Sequence, residues 1–280
     1  MKKVKPSVQN LLQQLQRELP AGVVAPSRWL SGLGISPQLA RKYVANGWLV
    51  PLAYGAYAWQ GRTDSVLPVV DWQGVVLSLQ RLEGQAVHVG GLSALNLQGL
   101  AHYLPLGGET HIQLWPHAKI FSRAGLPRWV AQVTEKGFVP QAFILNKALF
   151  GAECGEAGLH ELPTRVREWS LLVSAPERAI LEVLCQVGED EASFTHAVEL
   201  FEGMTTGRPP VAQQLLEQCS SIKTKRLFLY LASRLDYPWL KGIDVSRVDL
   251  GSSIMPITKG GRFNKQFNIT VPRGLDAQSF

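Results

Sequence analysis

Between Ser27 and Gly47 the chain carries two helix starts and two helix stops, and no other feature constrains its fold so tightly. Ser27 is a good N-cap for a short helix through Trp29, Leu30 and Leu33. Gly34 then offers the left-handed position that stops a helix sharply. One residue later, Ser36-Pro37 supplies a second N-cap and a proline at the first helical position. A helix, a tight glycine-containing turn and a second helix are the parts of a helix-turn-helix. Upstream, Val8, Leu11, Leu12, Leu15 and Leu19 recur at the spacing of an amphipathic helix, which Pro20 and Gly22 end. Downstream, Trp48 to Trp59 reads as a small hairpin with its turn near Pro51–Gly55. A hairpin in that place is a wing. The expected fold is α+β: an N-terminal winged helix-turn-helix followed by a larger mixed α/β domain, divided as residues 1–95 and 96–280.

The second helix, from Pro37 to about Asn46, has two unlike sides. Leu39, Ala40, Tyr43 and Val44 suit a core, while Gln38, Arg41, Lys42 and Ala45 share another side that holds no acid. Arg reads guanine and Gln reads adenine in a major groove, and Lys holds phosphate. Such a helix is expected to lie in that groove. The candidate DNA-binding residues are Arg28, Ser36, Gln38, Arg41, Lys42, Asn46, Tyr54 on the hairpin and Arg62 after it. The alternative is a winged helix used for protein contact without specific DNA binding.

Charge distribution favours DNA. Residues 1–62 hold eight Lys/Arg against the single acid Glu18, residues 63–219 hold ten against seventeen, and residues 220–273 hold ten against three. Two basic blocks thus flank an acidic middle, which suggests that the ends meet a polyanion. With 46% hydrophobic residues the chain has material for a real core, and no stretch approaches the ~18 apolar residues of a membrane span. No apolar segment follows the basic start Met1-Lys2-Lys3-Val4-Lys5, so no secretory signal is read there. Three cysteines, Cys154, Cys185 and Cys219, make an odd, widely spaced set without C-x-x-C, which fits a reducing cytoplasm.

Beyond Arg62, Val69–Leu82 reads as an amphipathic segment, and Val87 to Gly99 as a short strand, a glycine turn and a helix. Alternation predicts strands at 110–115, 129–133, 142–145 and 166–173. Ser174-Ala175-Pro176-Glu177 reads as a capping box opening a helix. Further helices are expected around 194–201, 211–219 and 222–235, with strands returning from Val248 to Val271 around a Gly260-Gly261 turn.

In order along the chain stand Asn46-Gly47-Trp48-Leu49 with Gly55-Ala56-Tyr57, His88-Val89-Gly90-Gly91-Leu92-Ser93-Ala94-Leu95 and Ala101-His102-Tyr103-Leu104. Then come Ser174-Ala175-Pro176-Glu177-Arg178-Ala179, Lys223-Thr224-Lys225-Arg226-Leu227-Phe228-Leu229 and Phe267-Asn268-Ile269-Thr270-Val271-Pro272. In these stretches the sequence resembles the AbiEi-type antitoxins of abortive-infection, type IV toxin–antitoxin systems. The resemblance implies a winged-helix amino-terminal domain that represses its own operon. It also implies a carboxy-terminal domain that counteracts a nucleotidyltransferase-like toxin encoded next door.

Enzymatic chemistry is not expected. The six histidines show neither H-E-x-x-H nor zinc-site spacing, so no metal or cofactor is anticipated. No G-x-S-x-G elbow appears. The second basic block places Lys223, Arg226, Tyr230 and Arg234 in one stripe, with Lys225 on the same helix and Lys259, Arg262 and Lys265 in the tail. These eight residues are the candidate antitoxin surface. The stripe suits nucleic acid, an acidic patch on a protein, or a solvated helix face.

Overall fold

The computed structural model describes residues 8–61, 69–101, 111–117, 125–235, 237–258 and 260–272. Helix α1 (Val8–Glu18) turns Leu11 and Leu15 inward, and Leu19 beyond its end is fully buried. The chain then reverses into strand β1 (Val24–Pro26), followed by helices α2 (Ser27–Gly32) and α3 (Pro37–Ala45). Between the two helices Gly34 sits at φ +87°, and the Ile35 amide donates to the Leu30 carbonyl at 2.9 Å. A side chain at that left-handed position would be strained, so the glycine sets how soon α3 can begin. Ser36 caps α3, its Oγ accepting from the Leu39 amide at 3.3 Å. Ser27 does not cap α2: Pro26 occupies that position, and the Ser27 amide donates to the Gly55 carbonyl at 2.7 Å. Strands β2 (Leu49–Ala53) and β3 (Ala56–Trp59) form a hairpin, and β3 lies between β1 and β2 with both pairings antiparallel.

Asp71 caps α4 (Trp72–Leu77) by accepting from the Gly74 amide at 2.9 Å. A π-helical turn over Ser78–Leu82 continues it, where Ser78 Oγ donates to the Val24 carbonyl of β1 at 2.6 Å. Next come β4 (Val87–Val89), α5 (Gly91–Leu97), β5 (His111–Pro116), α6 (Arg128–Glu135) and β6 (Ala142–Leu145). With β7 (Leu159–Pro163) and β8 (Ser170–Ser174) these strands make a mixed sheet ordered β6-β5-β4-β8-β7. Helices α7 (Pro176–Gln186), α8 (Glu191–Glu202), α9 (Pro209–Gln218) and α10 (Ile222–Ala232) follow. A small sheet of β9 (Met255–Pro256), β10 (Arg262–Asn264) and β11 (Ile269–Val271), ordered β10-β11-β9, ends the described chain.

Further local readings need correction. The turn of the last hairpin lies between Asn264 and Ile269, not at Gly260-Gly261. Residues 129–133 are helix α6, not a strand: Trp129, Val130 and Val133 are the buried positions, and a spacing of one and four is helical. Of 166–173 only the part from Ser170 is strand. Arg167 stands at φ +50° in the loop joining β7 to β8, which Thr164 closes by donating its hydroxyl to the Trp169 carbonyl at 2.6 Å. Ser174 belongs to β8, so the capping box dissolves: Ala175 holds the cap position of α7 and Pro176 its first turn.

Because strand side chains alternate between faces, the five-stranded sheet carries a core on each side. Val87, Val89, Ile112, Leu114, Leu171 and Val173 join the core of α1–α3 and the first hairpin, which α6 completes. Trp115 and the helices α5 and α7–α10 share the other core with the small C-terminal sheet. Arg167 adds a polar tie to the first core, donating to the Arg17 and Gln16 carbonyls at 2.5 and 3.0 Å. A cation at the carboxy-terminal end of α1 also opposes the helix dipole.

Candidate nucleic-acid interface

On α3, Ala40 and Tyr43 are buried, whereas Gln38, Arg41, Lys42, Ala45 and Asn46 are exposed. The division between core and outward side therefore runs along the helix as its periodicity implies. Ser36 is exposed too, with its hydroxyl committed to the cap. Arg28 is exposed on α2 and lies close enough to Glu83 to lower its carboxyl, although burial of Glu83 is the larger influence and leaves that group raised. Tyr54, at the turn of the first hairpin, is 91% exposed. Its amide donates to Gln132 Oε1 of α6 at 3.1 Å, so the hairpin tip is tied to α6. Arg62 lies outside the described residues. Glu18 is the acid of the described first sixty residues, and Arg17 pairs with it at 3.6 Å, away from α3 in sequence.

The signature stretches behave differently. His88-Val89-Gly90-Gly91 and Ser174 to Arg178 meet around the fully buried Glu182 of α7. Its carboxylate accepts from His88 Nε2 at 2.8 Å, the Gly91 amide at 2.7 Å, Ser174 Oγ at 2.8 Å and Arg178 Nε at 3.3 Å. A Cβ at Gly90 would run into that carboxylate, which explains a glycine there. Burial pushes the Glu182 carboxyl up, but His88, Arg178 and the Gly91 amide outweigh it and leave the group below the ordinary carboxylate range. Burial dominates at His88 and holds it neutral, as it does at His117 beside it, pulled down to about 4. Glu177 accepts from the Arg208 backbone and guanidinium at 2.8–3.0 Å, which ties α7 to the start of α9. These polar groups pair with one another inside the core, with His88 Nδ1 left unpartnered. They are framework, and the motif spacing alone did not announce it.

The second basic stripe is mostly not a surface. Lys225, Arg226 and Tyr230 are all buried on α10. Arg226 donates to the Leu250, Ser253 and Asn268 carbonyls at 2.6–3.1 Å, and Lys225 Nζ to the Asp249 carbonyl at 3.0 Å. Lys223 is half-buried with Nζ on the Val187 carbonyl at 2.6 Å. These cations hold the C-terminal segment against α10, since a buried charge needs hydrogen-bond partners; Arg226 uses Nε and Nη1 for this, while its Nη2 is buried without one. Arg234 stays half-buried, Arg262 and Lys265 are exposed, and Lys259 lies outside the described residues. Next to them, Phe263 on β10 is an exposed aromatic that the sequence reading passed over. Its neighbours in the sequence, Arg262 and Lys265, were the available signal.

Among the described residues no group of three or more His, Cys, Asp or Glu could hold a metal ion, and no helix is long and apolar enough to cross a membrane.

Comparison with known proteins bears on both halves. Residues 8–106 match the family model described as "Transcriptional regulator, AbiEi antitoxin N-terminal domain", and residues 111–272 match "Transcriptional regulator, AbiEi antitoxin, Type IV TA system". No curated protein matches the chain. A crystal structure of the RV2827C protein from Mycobacterium tuberculosis superposes with a TM-score of 0.53 at 16% identity, covering 96% of this chain and 92% of that one. At that identity the likeness speaks for the fold alone. The chain belongs to the AbiEi antitoxin family, transcriptional regulators of type IV toxin–antitoxin systems rather than a class of enzymes.

Proposed function

We propose that this family member represses its own operon by binding DNA and counteracts a nucleotidyltransferase-like toxin encoded beside it. The order α1–β1–α2–α3–β2–β3, with β3 central in its sheet, supports reading this part as a winged helix-turn-helix. In this reading α3 is the recognition helix, the first hairpin is the wing, and the repressor acts in the cytoplasm. The observation that carries it is the outward side of α3, where Gln38, Arg41, Lys42 and Asn46 are exposed together with no acid among them. The operator is expected to hold inverted repeats bound by two copies, because one short recognition helix covers too little sequence. Residues 96–280 are assigned the antitoxin role, and of its candidate surface Arg234, Arg262 and Lys265 remain among the described residues.

Gel-shift titrations against the promoter upstream of the operon test this. Arg41→Ala should lose ~1–3 kcal/mol and relax specificity at one position, whereas Lys42→Ala should weaken all sequences alike and reduce the salt slope by about one. Wild-type affinity in both variants would sink the assignment. The protein-contact alternative draws on Tyr54, which leaves its side chain in water at the wing tip. It requires that promoter DNA and unrelated duplex bind equally.

A further inference from the structure

We propose that the cavity between the end of α10 and the β10–β11 hairpin binds a single-stranded nucleic acid, one nucleotide unit within it. The cavity has a volume of about 320 Å³ and is lined by Tyr230, Arg234, Arg262, Phe263, Asn264, Lys265 and Val271. That size is near the lower end of ligand pockets, ~300 Å³. Three of these residues are cations and none is a carboxylate. Glu202 comes close enough to Arg234 to feel its charge, yet does not line the cavity.

The aromatic decides the class of ligand. Phe263 is 44% exposed on β10, an edge strand, so folding alone does not explain a large ring there. Tyr230, by contrast, is buried, edge-on to Phe267 at 6.4 Å, and its ring lies 5.8 Å under the Arg234 guanidinium. The cavity therefore presents a fixed cation, two exposed cations at the hairpin and one accessible ring. Phosphate beside a stacked base matches that set, and every base has a face to offer. A duplex keeps its bases stacked on one another, so the ligand must be single-stranded. The hairpin is held by hydrogen bonds. Arg226 grips the Asn268 carbonyl, and Asn264 Oδ1 accepts from the Phe267 amide at 3.0 Å across the hairpin turn. The buried arginine thus shapes the site without touching a ligand.

The proposal is independent of the α3 reading, and it is measured in the full chain carrying Arg41→Ala and Lys42→Ala so that α3 does not report. Fluorescence anisotropy would follow labelled single-stranded RNA of about 12 nucleotides and mixed sequence, its DNA counterpart, and a polyglutamate competitor. Binding of either nucleic acid supports the site, and a preference for RNA would show that the 2′-hydroxyl is read. Phe263→Ala should weaken binding about 5- to 150-fold at an unchanged salt slope, while Phe263→Trp keeps it. Arg262→Gln and Lys265→Gln should each lower the slope by ~0.7. Absence of binding at ~50 mM salt, or parental affinity in Phe263→Ala with a melting temperature matching the parent, overturns the proposal. So does full competition by polyglutamate with no effect of Phe263→Ala, which would mark the surface as one for acidic protein.

Discussion

Helices α3 and α10 both carry Lys/Arg at helical spacing, and the fold puts them to opposite uses. On α3 the cations stand in water above a core side of Ala40 and Tyr43. On α10 Lys225 and Arg226 are buried and donate four hydrogen bonds to backbone carbonyls between residues 249 and 268. The difference lies in the apolar neighbours. Leu227 to Leu231 is an unbroken run of apolar and aromatic residues, so α10 has no face left for solvent. A helix apolar all round is a buried helix, and cations inside one become ties to carbonyls. On α3 the apolar residues come in pairs, and the cations between them keep an outward side.

That contrast breaks most visibly at Arg226. Arg226→Ala leaves three carbonyls, those of Leu250, Ser253 and Asn268, without their donor. These acceptors are partly buried and Ser253 is exposed, so water takes up part of the loss, which should be about 1–3 kcal/mol. Arg41→Ala, exposed, should change stability by no more than ~0.5 kcal/mol while weakening promoter binding. Urea unfolding of both variants gives the comparison. Equal stability for the two would return Arg226 to the surface and undo the account of α10.

The first half was legible because its signals are local. Ser36, Pro37 and Gly34 act on their own helix ends, and the stripe of Leu11, Leu15 and Leu19 faces the core as its period says. Legibility failed where partners are distant in sequence. Glu182 takes its hydrogen bonds from His88, Gly91, Ser174 and Arg178, and nothing between residues 91 and 174 marks that meeting. Ser174-x-x-Glu177 imitated a capping box for the same reason: Ser174 and Glu177 each had a better partner elsewhere, in Glu182 and Arg208. A division after residue 95 also looks different once β4 is seen between β5 and β8, both beyond that point. Point variants therefore separate the two proposed activities more cleanly than truncation, which would strip the central strand of its partners.

A smaller effect sharpens the contrast through pH. His117 is held at about 4 by burial, with His88 and Arg178 adding to it, against 6.5 in an unfolded chain. A histidine lowered on folding binds fewer protons in the folded state, so stability rises with pH across that window. Its contribution is complete above about 6.5 and is lost as pH falls toward 4. His88 is shifted in the same direction, and Glu182, lowered as well, begins to lose its contribution only when the pH reaches the carboxylate range. The melting temperature should be level from pH 8 to 7 and fall below pH 6.5, by ~2–4 °C for each kcal/mol lost. His117→Gln should flatten part of that decline. A melting temperature unchanged between pH 7 and 5 would mean that these rings do not change charge on unfolding. Helix α3 carries no histidine or carboxylate, so DNA affinity of the folded protein should follow salt more than pH.

The smallest effect expected is at Ser36, where the two uses of a polar residue meet in one side chain. Its hydroxyl accepts from the Leu39 amide at 3.3 Å, a long bond at an exposed site, and it sits at the end of α3 that points its free amides outward. Loss of such a cap costs ~0.5–2 kcal/mol, and the length and exposure here argue for the lower end. Ser36→Ala should therefore lower the melting temperature slightly and weaken promoter binding by a small factor, uniformly across sequences, because it loosens the first turn without removing a base contact. Ser36→Asp separates the two roles. It restores the cap and the stability, but it places a negative charge where a phosphate would approach a helix N-terminus. Stability should recover while binding falls further, most at low salt. If Ser36→Asp recovered both together, the N-terminal end of α3 would not face the DNA backbone, and the helix would have to enter the groove by its other end.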